Sequence, residues 1–295
     1  MTRSILRSLL AGAALAACFA HAEPVPRNAA ADLRAKYEEY RGSLTRNDFG
    51  KPLHLLSTED SRSNTGEVYA VVEMPFATVA AGFAKAAQWC DVLILPFNTK
   101  HCRAAAEGGN TLLLVRIGRK SSQPAEEAHR LDFRYQAQAR SADYFHSTLE
   151  APRGPVGTHD YNIALEAIPL DAQRTFMHLS YSYGFGTMSR LAMLAYLGTA
   201  GSGKVGFTVI GKDGAGKPVY VGGMRGATER NAMRYFLAIE AYLASLAAPE
   251  RERITRRLAD WFAATERYPR QLHEMDLGEY LAMKEAETKR VGAAI

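Results

Sequence analysis

The chain has 295 residues, 47% of them hydrophobic and 23% charged, and carries 36 Lys and Arg against 31 Asp and Glu. That apolar content over that length supplies a large core and excludes a disordered acidic chain. A net charge of +5 without a concentrated basic face points away from nucleic acid as a partner.

The first element is a targeting signal. Met1 to Arg7 holds two arginines and no acid, Leu9 to Ala17 is small and apolar, and Cys18, Ala20 and Ala22 follow. The apolar run is shorter than the roughly 20 residues a membrane-spanning helix needs. Two processing routes compete. Ala20-His21-Ala22 is an A-x-A site that frees a soluble chain starting at Glu23, whereas Leu15-Ala16-Ala17-Cys18 resembles a lipobox that acylates Cys18. Both predict a periplasmic or secreted protein, membrane-anchored if Cys18 is lipidated. Loss of Arg3 and Arg7 leaves 34 basic against 31 acidic residues, near +3.

Downstream, Ala29 to Arg41 reads as a short amphipathic helix. Leu53–Leu56 and Glu67–Met74 read as strands of a hairpin joined by the polar segment from Ser57 to Gly66. After Pro75, Phe76, Val79, Phe83, Ala86 and Ala87 recur at helical steps, and the helix runs on to a stop at Pro96. Cys90 and Cys102 are then the cysteines left in a mature chain cut after Ala22, and in an oxidising compartment such a pair forms a disulfide. Closing a loop of this length contributes roughly 3 kcal/mol in the chain-entropy treatment. A redox or metal pair is the alternative, but the spacing is not C-x-x-C.

Leu112–Ile117 is a nearly continuous apolar run. Leu131–Ala137, Tyr144–Ala151, Tyr161–Ile168 and Thr175–Phe185 follow as strands, most of them alternating between apolar and polar residues. Leu131, Phe133, Tyr135 and Ala137 share one face of their strand. Tyr161, Ile163, Leu165 and Ala167 do so in theirs, as do Met177, Leu179, Tyr181, Tyr183 and Phe185. Period-two patterning predicts an antiparallel meander with one dry and one wet face. Ser189–Leu197 reads as helix, Val205–Ile210 and Val219–Met224 as strands around an Asp213-Gly214 turn. Ala227–Leu246 is the strongest helix, with Ala232, Phe236, Ile239, Leu243 and Leu246 in one stripe. Arg251–Thr265 is helical, Tyr268-Pro269 interrupts it, and Asp276 with Glu279 opens a last helix through Tyr280 and Met283.

Strand, helical excursion, antiparallel strands and then one long amphipathic helix is an order that resembles the START-like (SRPBCC) superfamily, the helix-grip fold. Met74-Pro75-Phe76-Ala77-Thr78-Val79 and Trp89-Cys90-Asp91-Val92-Leu93 carry the local likeness, which spans about residues 67–247. It implies an α+β fold in which a curved antiparallel sheet grips a long C-terminal helix; the segment around Leu191, the helices after Pro249 and the export signal depart from the family's pattern. With the residue reading, the organisation is a signal over 1–22 (or a lipoprotein signal cut before Cys18), a helical segment over 23–50, a START-like ligand-binding domain over 51–248 and a helical extension over 249–295. A cavity between sheet and helix implies an apolar ligand such as a lipid. Phe133, Tyr135, Tyr161, Met177, Tyr181, Tyr183 and Phe185 supply aromatic and apolar surface with a few polar tips, suited to line it. Each also fits plain core packing.

Other motifs carry less. Gly198-Thr199-Ala200-Gly201-Ser202-Gly203-Lys204-Val205 nearly spells a phosphate-binding loop, but Val205 stands where magnesium needs Ser or Thr, so it reads as a turn. His178, Ser180 and Ser182 lie on the strand face opposite its tyrosines. In-strand neighbours sit about 7 Å apart and no G-x-S-x-G elbow is present, so a solvated or partner-facing surface is the better reading. His101, His129, His146, His159 and His273 are scattered without metal-ligand spacing, and neither a metal nor a cofactor is expected. Arg225 and Arg230 flank the start of the long helix with Glu229 between them, where Arg225 is a candidate for holding an anionic head group at a cavity mouth. A surface ion pair is the simpler reading. Arg251, Arg253, Arg256 and Arg257 suit either anionic lipid or a solvated helix face.

Three functions remain open: an envelope binder of an apolar ligand without catalytic residues, a cyclase or hydrolase with His178 or an aspartate as base, and an assembly protein docking a partner through residues 249–295.

Overall fold

The computed structural model describes residues 29–293 apart from 200 and 202, so the predicted export signal, with Cys18 and the A-x-A sequence, lies outside the described residues. Helix α1 (Ala29–Thr45) precedes the hairpin β1 (Leu53–Glu59) and β2 (Ser63–Val72). Two short helices, α2 (Phe76–Gly82) and α3 (Ala86–Leu93), lead into β3 (Thr99–Glu107) and β4 (Asn110–Ile117). Then come β5 (His129–Arg130), β6 (Phe133–Arg140), β7 (Phe145–Arg153), β8 (Thr158–Pro169) and β9 (Thr175–Phe185). Helix α4 (Thr187–Gly198), the hairpin β10 (Val209–Lys212) and β11 (Pro218–Tyr220), and helices α5 (Gly223–Ser245), α6 (Glu250–Thr265), α7 (Pro269–Leu272) and α8 (Leu277–Ala293) complete the chain.

The main sheet runs β1-β2-β9-β8-β7-β6-β4-β3, with β5 on β4, and every pairing is antiparallel. Its register follows the alternation. Ala70, Met177, Ala167 and Phe145 form one inward row, and Val68, Leu179, Leu165 and Ser147 the next. These rows pack against the α5 stripe of Ala232, Phe236, Ile239 and Leu243 in a single core. Gly66 sets the approach, because a Cβ there would stand 3.1 Å from Ala232 Cβ. At the other edge α3 covers β3 and β4, fastened by the Cys90–Cys102 disulfide across a Cα separation of 5.2 Å.

Several details differ from the sequence reading. The β1–β2 turn is confined to residues 60–62, because the polar residues on either side of it still pair strand to strand. The helix after Pro75 breaks at Phe83–Lys85, and β3 was not anticipated. The segment from Val205 becomes strand only at Val209, and Gly223-Met224 already opens α5. The outer sheet face is not uniformly wet: α1 covers it, packing Leu33 and Leu44 on Tyr69, Tyr144, Ile168 and Phe176. The C-terminal helices are part of the main core through Leu258, Trp261, Phe262, Leu272, Tyr280 and Met283. Arg257 is not solvated, since it is buried and meets Asp91 at 2.7 Å and Ser245 Oγ at 2.8 Å. Arg251 and Arg256 stay exposed.

His178 corrects the expectation of a solvated face most sharply. Its side chain is 13% exposed and lies on the outer face, away from the sheet–helix interior. Register places it between Tyr69 on β2 and Glu166 on β8. Its Nδ1 is 2.9 Å from Glu166, its Nε2 is 3.0 Å from Glu67, and Tyr69 stacks on the ring at 4.2 Å. Partners that no in-strand spacing reveals thus come from both neighbouring strands. Burial alone would lower the imidazole pKa, but the two carboxylates prevail and raise it.

Candidate ligand-binding site

Helix α5 is two-sided. Opposite the α5 face on the sheet, Ala227, Arg230, Asn231 and Arg234 recur at three- and four-residue steps and align in a second stripe. This stripe, Met193 and Leu197 of α4, Asn98, and the connector carrying Gly118, Arg119, Lys120, Gln123 and His129 enclose a cleft of about 490 Å³. Gln123 shapes the connector by accepting the Arg119 N–H at 2.8 Å and donating to the Glu127 carbonyl at 3.1 Å. A Cβ on Gly118 would stand 2.1 Å from Gln123 Oε1, so a larger residue there would displace the Gln123 amide from these hydrogen bonds.

The cleft wall holds Arg119, Lys120, Arg230 and Arg234, Glu127 stands 3.9 Å from Arg119, and no Asp or Glu is among the described lining residues. Arg230 and Arg234 are 5% and 6% exposed, and so act in a partly desolvated setting. Glu274 stands behind the wall, meeting Lys120 at 2.6 Å, Arg234 at 2.5 Å and Lys204 at 3.7 Å. Arg234 is braced further by the Leu272 carbonyl at 3.4 Å, and its own carbonyl accepts the Trp261 indole N–H at 3.0 Å. Burial pushes the Glu274 carboxyl up, but Arg234, Lys120 and Lys204 outweigh it and hold the group below the usual carboxylate range. Burial, reinforced by Arg234 and Arg230 against the pull of Glu274, brings Lys120 down to about 8.

The structure brings only part of the predicted ligand-contact set together. Tyr161, Tyr181, Tyr183 and Tyr235 form a chain of rings with centroids 5.4 to 6.4 Å apart, and Phe185 joins Tyr183 at 6.1 Å. Burial, reinforced by Tyr161, Tyr235 and Tyr183, pushes the Tyr181 hydroxyl well up. Phe133 and Met177 are buried in the main core, and Tyr135 donates to the Phe83 carbonyl at 2.8 Å. Arg225 lies over β1, where its Nε donates to Ser57 Oγ at 2.8 Å and its backbone N–H to Glu59 at 3.1 Å. None of these predicted residues lines the cleft, although Tyr161 borders a polar groove of about 510 Å³ on β4, β6, β7 and β8.

Of the cleft residues, Arg230 and His129 stand out in the sequence, whereas Arg119, Lys120, Arg234, Met193 and Leu197 do not. The legible signal was the Ala227-Arg230-Asn231-Arg234 stripe. Among the described residues, no three His, Cys, Asp or Glu side chains gather as a metal site. Ala200 and Ser202 of the phosphate-loop-like stretch lie outside the described residues. No described helix is long and apolar enough to cross a membrane.

No protein-family model matches the chain, and no curated protein matches it. Solved structures do. A Streptomyces aromatase/cyclase is similar at 16% identity over 70% of this chain and 94% of its own, with a TM-score of 0.33. Norcoclaurine synthase from Thalictrum flavum is similar at 14% identity over 48% of this chain and 80% of its own, with a TM-score of 0.34. Human StAR-related lipid transfer protein 5 is similar at 9% identity over 53% of this chain and 83% of its own, with a TM-score of 0.30. With one antiparallel sheet packed against a long helix late in the chain, this protein has the α+β helix-grip, START-like fold.

Proposed function

We propose that this is an exported cell-envelope protein that holds an apolar, lipid-class ligand at the cleft between α4, α5 and the 118–129 connector, for sequestration or transfer. The observation that carries the reading is the cleft, which joins Met193, Leu197 and Ala227 to a polar wall. Helix α4 supports the transfer role. It has no acidic residue, its inner side lines the cleft, and its outer side leaves Met188 78% and Leu191 57% exposed. A short apolar helix of this kind suits contact with a lipid surface. An enzyme using His178 as base is disfavoured, because that imidazole lies on the far side of the sheet between Glu67 and Glu166.

Native mass spectrometry of protein purified gently from its own envelope fraction tests this reading. The expected result is a retained lipid-sized mass on a chain lacking its signal, and the mature mass reads directly whether Cys18 is acylated. A ligand-free chain would sink the binding role, and an unprocessed chain in the cytoplasmic fraction would sink export.

A further inference from the structure

Among the described residues, eight large apolar side chains stand well out in water, and seven of them come from three segments. These are Val156 in the turn between β7 and β8, Met188, Leu191 and Leu194 on α4, and Val209, Ile210 and Val219 on the β10–β11 hairpin. The chain path gathers the three segments at one end of the sheet. A Cβ on Gly157 would stand 2.7 Å from Ser189 Oγ, so the β7–β8 turn abuts the start of α4. Glu59 at the end of β1 takes Arg190 of α4 at 3.5 Å and the Arg225 backbone N–H of α5 at 3.1 Å. One turn further along α5, Glu229 accepts the Thr208 N–H at 2.9 Å and so holds the foot of the hairpin. Single exposed apolar residues need no explanation, whereas a gathered set marks a surface that is covered in use.

Charge says what covers it. From Thr187 to Val221 the chain has four basic residues and one acid. The acid, Asp213, is engaged inside the hairpin turn, where it accepts the Ala215 and Lys217 backbone N–H groups at 2.9 Å each. Arg190 and Lys204 meet Glu59 and Glu274. Lys212 and Lys217 are exposed and, among the described residues, neither ammonium meets a carboxylate. A protein partner would need a rigid counter-surface matched to a helix, a turn and a hairpin at once, whereas the interfacial layer of a bilayer is fluid and conforms to all three. Resting on the reading above that the cleft beneath α4 holds an apolar ligand, we infer that α4, the β7–β8 turn and the β10–β11 hairpin form a docking face for an anionic lipid bilayer. Met188, Leu191, Val156 and Ile210 enter the acyl boundary, and Lys212 and Lys217 stay with the lipid phosphates. Helix α4 then separates two apolar environments, since Met193 and Leu197 on its inner side line the cleft.

The test is flotation of the unacylated mature chain with vesicles of equal phosphatidylglycerol and phosphatidylcholine, and with vesicles of phosphatidylcholine alone. The expected result is binding to the anionic vesicles about tenfold or more tighter, the scale set by two lysines near a charged surface, and weakening as salt rises. Lys212→Gln/Lys217→Gln should remove most of that preference. Met188→Ser/Leu191→Ser should lower affinity for the anionic vesicles about tenfold or more. All four side chains are exposed and absent from the cleft lining, and near-UV circular dichroism checks that the variants fold. Failure to bind the anionic vesicles, or equal binding to both kinds, would overturn the anionic surface. Unchanged affinity in either folded double variant would refute the assignment of the face. A dimer in sedimentation that Met188→Ser/Leu191→Ser dissolves, with no vesicle binding by the monomer, would give the face to a second copy instead. Native mass spectrometry keeps this apart from the cleft reading. A retained lipid without vesicle binding sinks the docking face alone, and vesicle binding without a retained lipid sinks the cleft ligand alone.

Discussion

Replacing Lys284 with methionine is expected to flatten an alkaline rise in stability. The Lys284 ammonium is fully buried beneath α8 and donates to the Pro96 and Thr99 carbonyls at 2.7 Å each and to Glu287 at 2.8 Å. Glu287 also takes Lys100 at 3.0 Å, so two buried ammonium groups share one carboxylate. Burial pushes Lys284 down to about 8 from an ordinary 10.5, with Glu287 opposing and Lys100 adding to the fall. Between those values the unfolded chain binds more protons than the folded one, so stability rises with pH across the window. Integrating the linkage between about pH 7.5 and about pH 9.5 assigns roughly 2 kcal/mol of the rise to this one lysine. Lys120, also near 8, contributes with the same sign. The informative quantity is therefore the difference between wild type and Lys284→Met, measured by urea unfolding at both pH values with the m-value held constant. Methionine keeps most of the stem and leaves Glu287 paired with Lys100 alone. An identical rise in both proteins, or none in the wild type, would refute the assignment of a shifted proton to Lys284.

Other outcomes follow from the packing. Deleting residues 249–295 should abolish cooperative unfolding in near-UV circular dichroism. Leu258, Trp261, Phe262, Leu272, Tyr280 and Met283 leave the core, and at about 1.5 to 3 kcal/mol per side chain that is comparable to the whole stability of an ordinary domain. A truncated chain that melts cooperatively would contradict this. Cys90→Ala/Cys102→Ala should lose roughly 3 kcal/mol in denaturant unfolding, the cost of releasing a loop of this length; unchanged stability would mean the link constrains nothing. His178→Ala should cost about 3 kcal/mol near pH 6 by leaving Glu67 and Glu166 without their cation. The His178 pKa is raised above its ordinary 6.5, so its contribution is full below that value and fades as pH rises through the folded one. The penalty should therefore shrink in alkali, and equal penalties across that range would dismiss the charged imidazole.

What the sequence determined by itself was local and periodic. Alternation in Tyr161–Ile168 and Thr175–Phe185 identified the buried face, because a strand slipped by one residue would turn all those apolar side chains to water. The α5 stripe at Ala232, Phe236, Ile239 and Leu243 identified the helix side that meets the sheet for the same reason. The cysteine pair was legible from the cysteine count and the predicted export. Strand β3 was not, because Lys100 and the run Ala104-Ala105-Ala106 blur its alternation. Tertiary structure alone decided which elements stand opposite one another. Register delivered Glu67 and Glu166 to His178, and the chain path brought Lys120, Arg234 and Glu274 together from three distant segments. Apolar burial leaves a short-range period in the sequence because each element must hide one side of itself. Charge compensation and cleft walls are assembled between elements, so their signal appears only when the chain has closed.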